Sequence, residues 1–289
     1  MSGHGGARPA RRVAALALLL ARVGCGGDEG APGAAASSGD GERGGRCAPA
    51  APEQLVPEVV RTLDHDPDAY TQGLVVHEGR WFESTGLRGG SSIRELDPAT
   101  GEVLRSTPLD DEVFGEGLAV GEGERLVQLT WTEGIAYERD ADSFDEVRRF
   151  RYEGEGWGLT TLGDGRLVMS DGSDTLVTRD PSDFSELGSV AVRRDEAPAD
   201  LLNELDFDGE SIWANRYRTD EVLRIDPTCA TVTGVLDVSE LAEDARAAAA
   251  PGDPEPEVSN GIAHLPGTDR YLVTGKRWPR LYEVELRPA

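Results

Sequence analysis

Apolar and polar positions alternate in short bursts along most of this 289-residue chain, and helical spacing is nearly absent. Runs such as RLVQLTW, RLVMSD, SIWANRY and RYLVTGK mix β-branched and aromatic residues and are flanked by Gly, Asp and Pro. That is the pattern of short strands between tight turns. The turns themselves repeat. An acidic turn ahead of a strand occurs at Asp97, Asp140, Asp180 and Asp226, in steps of 43, 40 and 46 residues. Alternating with it is a polar or aromatic residue followed by Gly or Glu and then Leu or Ile, at Gln72, Glu116, Trp157, Asn203 and Asn260. Each opens a strand and is followed by a hairpin signal such as HEGRW, GDGRL or PGTDRY.

This repeat predicts an all-β fold, a five-bladed β-propeller with one blade for each strand-opening motif. The last step, 57 residues, is longer and contains AEDARAAAAPGDPEPE, which reads as a short helix and loop inserted between blades four and five. The final LYEVEL is expected as an outer strand, with VPEVVRTL near residue 56 pairing to close the ring.

Rotation about a propeller's axis relates equivalent positions, so Gln72, Glu116, Trp157, Asn203 and Asn260 should converge on one channel mouth. A scaffold position would repeat its residue type, as the neighbouring glycine and leucine nearly do. This one runs amide, carboxylate, indole, amide, amide, which points to a ligand; capping of strand ends is the plainer alternative. Tyr70, Phe114, Trp131, Trp157, Trp213 and Tyr217 cluster at the same level of the repeat. Some of these must be core, and Trp157 and Trp131 are the better candidates for a pocket wall. A small apolar pocket with a few convergent polar groups is the usual form of a ligand site.

Composition narrows the picture further. Residues 1–24 read as an export signal: Arg8, Arg11 and Arg12 precede an apolar run from Val13 to Ala21, too short to span a bilayer. Cys25 follows in a lipobox-like setting, although Arg22 departs from that pattern, and lipidation or ordinary cleavage nearby are both open. Residues 25–52 are rich in Gly, Ala, Ser and Pro, the composition of a flexible tether. Residues 53–289 remain for the propeller. The protein is therefore expected to be exported, in the cell envelope or periplasm, touching the membrane only through a lipid at Cys25.

A net charge of −25 argues against nucleic acid as a partner. With Cys25 set aside, Cys47 and Cys229 are left as a pair in an oxidising compartment. The four histidines, His4, His65, His77 and His264, lack metal-ligand spacing. Only Lys276 among the 29 basic residues is a lysine, which marks it as a candidate ammonium donor against the competing reading of chance.

Six stretches in order carry a resemblance: YTQGL at 70–74, FGEGL at 114–118, LTW at 129–131, GWGLT at 156–160, LNELDFDGESIWANRY at 202–217 and NGIAHLPGTDRYLVTGKRWPRLYEVEL at 260–286. Together they resemble the plant and bacterial glutaminyl-peptide cyclotransferases, across about residues 55 to 286. The resemblance implies a five-bladed propeller that turns an N-terminal glutamine of a peptide or protein into pyroglutamate and releases ammonia, without metal or other cofactor. It implies catalytic roles for Glu116, Gln72, Asn203 and Lys276, and pocket roles for Trp131 and Trp157. Tyr70 stands where phenylalanine is usual and Tyr217 where tryptophan is. Tyr70, Phe114, Trp131, Trp157, Tyr217 and Asn260 are the expected substrate-binding set, and a monomer is expected. Two other readings are a non-catalytic propeller that binds peptides or cell-wall fragments at the same mouth, and a calcium-dependent lactonase or esterase of the six-bladed kind. The second wants a ring richer in carboxylates than this one.

Overall fold

The acidic turns are built as the repeat suggests. In the computed structural model, which describes Cys47, residues 51–123 and residues 125–289, each of the four aspartates turns the chain in the same way. Asp97, Asp140, Asp180 and Asp226 accept backbone N–H groups two residues on through Oδ1. Their carbonyls accept the N–H four residues on, from Gly101, Phe144, Phe184 and Ala230, at 2.7–2.9 Å. All four of those residues have a left-handed backbone, with φ of 83°, 62°, 64° and 50°. Side-chain capping of this kind makes Asp a turn residue. Phe144 and Phe184 hold the same conformation with rings sunk in the core.

Between the turns lie short antiparallel strands. Three sheets have four strands each. The first contains Thr71–His77, Arg80–Thr85, Ser92–Leu96 and Val103–Pro108. The second contains Gly115–Val120, Arg125–Thr130, Ile135–Asp140 and Glu146–Arg151. The third contains Leu159–Thr161, Leu167–Ser170, Thr175–Arg179 and Glu186–Ala191. A fourth, ten-stranded sheet holds two further antiparallel runs of four. One runs from Leu202–Phe207 out to Thr231–Asp237. The other runs from Ser259–His264 through Arg270–Gly275 and Arg280–Pro288 to the N-terminal strand Glu53–Asp64.

The pairing of VPEVVRTL with the C-terminal strand is present, from Leu55 opposite Pro288 to Asp64 opposite Arg280. It is the N-terminal strand that lies outermost, with the LYEVEL strand inside it. The N-terminal strand also pairs in parallel with Thr231–Asp237, which merges the two runs into one sheet. The inserted segment forms a helix at Ser239–Ala248, with Leu241, Ala242 and Ala245 buried against the core. Cys47 and Cys229 are joined by a disulfide, with Cα atoms 5.4 Å apart. The export signal expected at 1–24, Cys25, and most of the tether expected over 25–52 lie outside the described residues.

The first strands of the five runs touch one another in cyclic order around a centre. Their crowding explains the repeated glycine. A Cβ on Gly73 would stand 2.6 Å from the Leu118 nitrogen, and one on Gly117 would stand 2.5 Å from the Leu159 nitrogen. In the fourth run the glycine is replaced by Glu204. Its carboxylate, fully buried, accepts the N–H groups of Leu74 (3.1 Å) and Ile262 (2.9 Å) and so ties the first and fifth runs together.

Candidate active site

Four of the five first strands carry a register shift at or beside the variable residue: between Thr71 and Gly73, Gly115 and Leu118, Leu202 and Leu205, and Ser259 and Ile262. A β-bulge re-aims a side chain that ordinary pleating would send elsewhere. Here the bulges bring residues from all over the chain to one cavity of about 330 Å³. Tyr70, Gln72, Phe114, Glu116, Trp131, Trp157, Asn203, Tyr217, Arg218 and Lys276 line it. Nine of these are among the ten expected catalytic and substrate-binding residues.

The tenth, Asn260, lies one layer below. Fully buried, it donates through Nδ2 to Gln72 Oε1 (3.0 Å) and to the Thr71 carbonyl (2.9 Å). It therefore fixes which way the Gln72 amide faces. With its oxygen so occupied, Gln72 turns its Nε2 to Glu116 and donates to Oε1 at 3.0 Å. Trp213 lies in the core, 1% exposed, and takes no part in the cavity.

The walls form a nearly continuous aromatic belt. Tyr70 meets Phe114 edge-on (centroids 6.2 Å apart), and Phe114 meets Trp131 at 5.6 Å. Trp157 meets Tyr217 at 5.4 Å. One carboxylate bridges the gap between the two indoles: Glu155 Oε2 accepts Trp131 Nε1 at 2.7 Å and Trp157 Nε1 at 2.9 Å. Lys276 closes the other gap, its ammonium 4.8 Å from the Tyr70 ring centre and 5.0 Å from that of Tyr217. A cation over aromatic faces is attracted by their quadrupoles.

Burial sets the electrostatics. The Glu116 carboxyl is pushed well above its ordinary range by desolvation; the Lys276 charge opposes this, and Glu155 and Glu133 reinforce it. Desolvation brings Lys276 down to about 8, against the upward pull of Glu116 and Glu257. Among the described residues Asn203 Oδ1 is buried with no hydrogen-bond partner. A buried polar atom left unpaired costs about 1–3 kcal/mol, which a donor on a bound molecule would relieve.

Behind the floor, His65 and Glu83 form a fully buried pair at 3.0 Å. Glu83 Oε1 also accepts the Thr71 hydroxyl (2.7 Å), and His65 Nδ1 lies 2.8 Å from the Trp278 carbonyl. The imidazole lies between two acceptors, the Glu83 carboxylate and the Trp278 carbonyl, an arrangement that favours the doubly protonated ring. Burial alone would lower the His65 pKa, but the charge and hydrogen bond of Glu83 and the Trp278 carbonyl raise it overall. The pair fastens the strand bearing Gln72 to the turn bearing Lys276.

Sequence reasoning missed Glu155 and Arg218. Arg218 has a left-handed backbone (φ 64°) and lies 5.2 Å from the Tyr217 ring centre. Neither gave a signal, one being an acid among 54 and the other a base among 29. Among the described residues, no group of three or more His, Cys, Asp or Glu side chains is placed to hold a metal ion.

Comparison with known proteins adds to this geometry. A family model described as glutamine cyclotransferase matches residues 34–286. A glutaminyl-peptide cyclotransferase of Arabidopsis thaliana is 38% identical over 235 residues, covering 80% of this chain and 72% of the plant protein. The crystal structure of Myxococcus xanthus glutaminyl cyclase is similar with a TM-score of 0.76 and 41% identity, covering 82% of this chain and 99% of that one.

Proposed function

The chain belongs to the glutamine cyclotransferase family, and from that premise we propose that it is a glutaminyl-peptide cyclotransferase, closing an N-terminal glutamine to pyroglutamate with loss of ammonia. The observation that carries the reading is the floor of the pocket. A buried carboxyl with a raised pKa stands beside a buried ammonium and an unpartnered amide oxygen, within an aromatic belt that rings a cavity of about 330 Å³.

The reaction joins the substrate's α-nitrogen to its own side-chain carbonyl carbon and breaks the bond from that carbon to the amide nitrogen. An N-terminal amine with a pKa near 7.7–8.0 is partly neutral at pH 7, so the attacking lone pair is available. Glu116, as carboxylate, takes the proton the amine sheds on attack and passes it to the departing nitrogen, which leaves as ammonia. Lys276 faces the carbonyl oxygen as it becomes an oxyanion, where a preoriented cation in a dry site acts most strongly. Asn203 Oδ1 accepts from the substrate amide, meeting the need left by its burial. Gln72, aimed by Asn260, holds Glu116 in place. The aromatic belt keeps the flexible side chain folded back on its amine, and that positioning is a large share of the work.

The fold reading accompanies this. The cyclic contact of five first strands and the five antiparallel runs support a five-bladed propeller with its helical insertion between blades four and five. Export and lipidation at Cys25 rest on the sequence alone. The test of activity is direct. The purified protein, given a Gln-initiated peptide amide, releases ammonia and a pyroglutamyl peptide at a rate that a metal chelator leaves unchanged. A folded sample that binds such peptides without releasing ammonia refutes the proposal.

A further inference from the structure

The charged groups around the pocket mouth are nearly all matched. Glu155 accepts from two indoles, and Glu133 is held by Arg88 at 2.6 Å. Glu257 accepts the Tyr70 hydroxyl at 3.1 Å and pairs with Arg277 at 3.4 Å. Arg218 differs from all of them. It lines the cavity and is exposed, and among the described residues its guanidinium makes no hydrogen bond and no ion pair; it lies over the face of Tyr217.

A comparison within the fold sharpens this. Arg218 and Arg277 occupy equivalent turns, each following the second strand of its run and each following a cavity residue, Tyr217 and Lys276. Both have the left-handed backbone, φ 64° and 59°. A residue with a Cβ persists in that conformation only where its surroundings hold it there. One of the two arginines finds an internal carboxylate and the other does not. In a protein of net charge −25, with acids abundant at its surface, an unmatched guanidinium at the mouth is the exception.

Resting on the cyclotransferase reading, we propose that Arg218 is a specificity-determining residue that favours substrates carrying a carboxylate just after the N-terminal glutamine. The floor is taken up by the glutamine, so the rest of the peptide must leave through the mouth, past Arg218. Guanidinium matches a carboxylate in two-point geometry. The surrounding acidic surface would otherwise repel such substrates, and Arg218 counters that repulsion where the chain emerges. The interaction is made with a part of the peptide that does not react and is equal in ground and transition states, so it belongs in KM and not in kcat.

The experiment compares three peptide amides, Gln-Ala-Ala, Gln-Glu-Ala and Gln-Lys-Ala, by ammonia release from the full chain and its Arg218→Gln, Arg218→Lys and Arg218→Glu variants. Solvent-exposed pairs are modest, so the expected preference of the wild type for Glu over Ala is about two- to fivefold in kcat/KM, carried by KM and shrinking with added salt. Arg218→Lys keeps part of the preference, Arg218→Gln abolishes it, and Arg218→Glu turns it toward the lysine peptide. A wild type that shows no order among the three, or an order that survives in the Gln and Glu variants, overturns the inference while leaving the activity intact. If the wild type releases ammonia from none of them, the cyclotransferase reading falls and this inference with it.

Discussion

Replacing Glu116 by Gln isolates the proton transfer from the positioning. The amide keeps an oxygen for the bond from Gln72 Nε2, now 3.0 Å, and keeps nearly the same volume in a site only 5% exposed. The aromatic belt and Lys276 are untouched. What is lost is the acceptor for the proton that the amine sheds. A positioned acid–base group contributes about 10²–10⁴-fold, which is about 2.7–5.4 kcal/mol at roughly 1.36 kcal/mol per tenfold. Glu116 is buried and is the carboxyl that lines the cavity, so the expected loss in kcat is about 10³-fold, with KM nearly unchanged because ground-state binding is retained. Stability should not fall. Burial holds the Glu116 carboxyl above its usual range, so at neutral pH the folded state disfavours the carboxylate relative to the unfolded chain, and removing it lifts that burden. The assay is steady-state ammonia release with mass detection of the pyroglutamyl product, alongside thermal unfolding. A folded Glu116→Gln enzyme that loses less than tenfold would refute the proton-shuttle role.

Three further outcomes follow from neighbouring groups. With Lys276 lowered to about 8, activity should decline above that pH as the ammonium loses its proton, and Lys276→Arg, charged far beyond pH 8, should lose this alkaline limb whatever rate it retains; a limb at the same pH in the variant would place its origin elsewhere. Replacing His65 by Ala breaks a fully buried pair and should lower stability by about 3–5 kcal/mol in denaturant unfolding. The raised pKa of His65 contributes stability that is complete below about 6.5 and lost as pH climbs through the folded value; the lowered pKa of Glu83 contributes stability lost as pH falls through its own, so the pair holds best between the two. A wild-type stability curve with the His65 increment growing above neutrality would contradict this. Glu155→Leu removes the acceptor from both indoles, and should raise KM more than it lowers kcat while shifting tryptophan fluorescence; an unchanged emission spectrum and KM would mean the indoles do not need it.

Much of the fold could be read because its turns are chemical. An aspartate that caps a turn leaves a residue type at a fixed place, and four of them recur with little drift. The strand-opening glycines Gly73, Gly117 and Gly158 are legible for a related reason: neighbouring backbones come so close that any Cβ would collide. The order of the outer strands could not be read in the same way. In the fold VPEVVRTL is mostly exposed and LYEVEL mostly buried, yet both mix apolar and charged residues in much the same way, and nothing in their composition says which lies outside. The parallel seam between Glu53–Asp64 and Thr231–Asp237 was equally invisible, since backbone pairing leaves no mark on residue type.

The site was legible to the degree that its residues break a rule. Gln72, Glu116, Trp157 and Asn203 stood out because they vary inside a repeat that otherwise holds steady, and Lys276 because the chain hardly uses lysine. Asn260 broke the same rule yet points at Gln72 and not at the cavity. Its neighbour Gly261 has φ 120°, and the bulge there turns the amide inward beneath the floor. Variation within a repeat therefore marks the positions freed from scaffold duty, but whether each faces the ligand or the residue that faces it depends on the local bulge. Glu155 and Arg218 break no rule at all, since acid and arginine are this chain's commonest charges. Their roles come from what they touch or fail to touch. A carboxylate shared by two indoles and a guanidinium with no carboxylate are defined by partnership, and partnership is set by the fold.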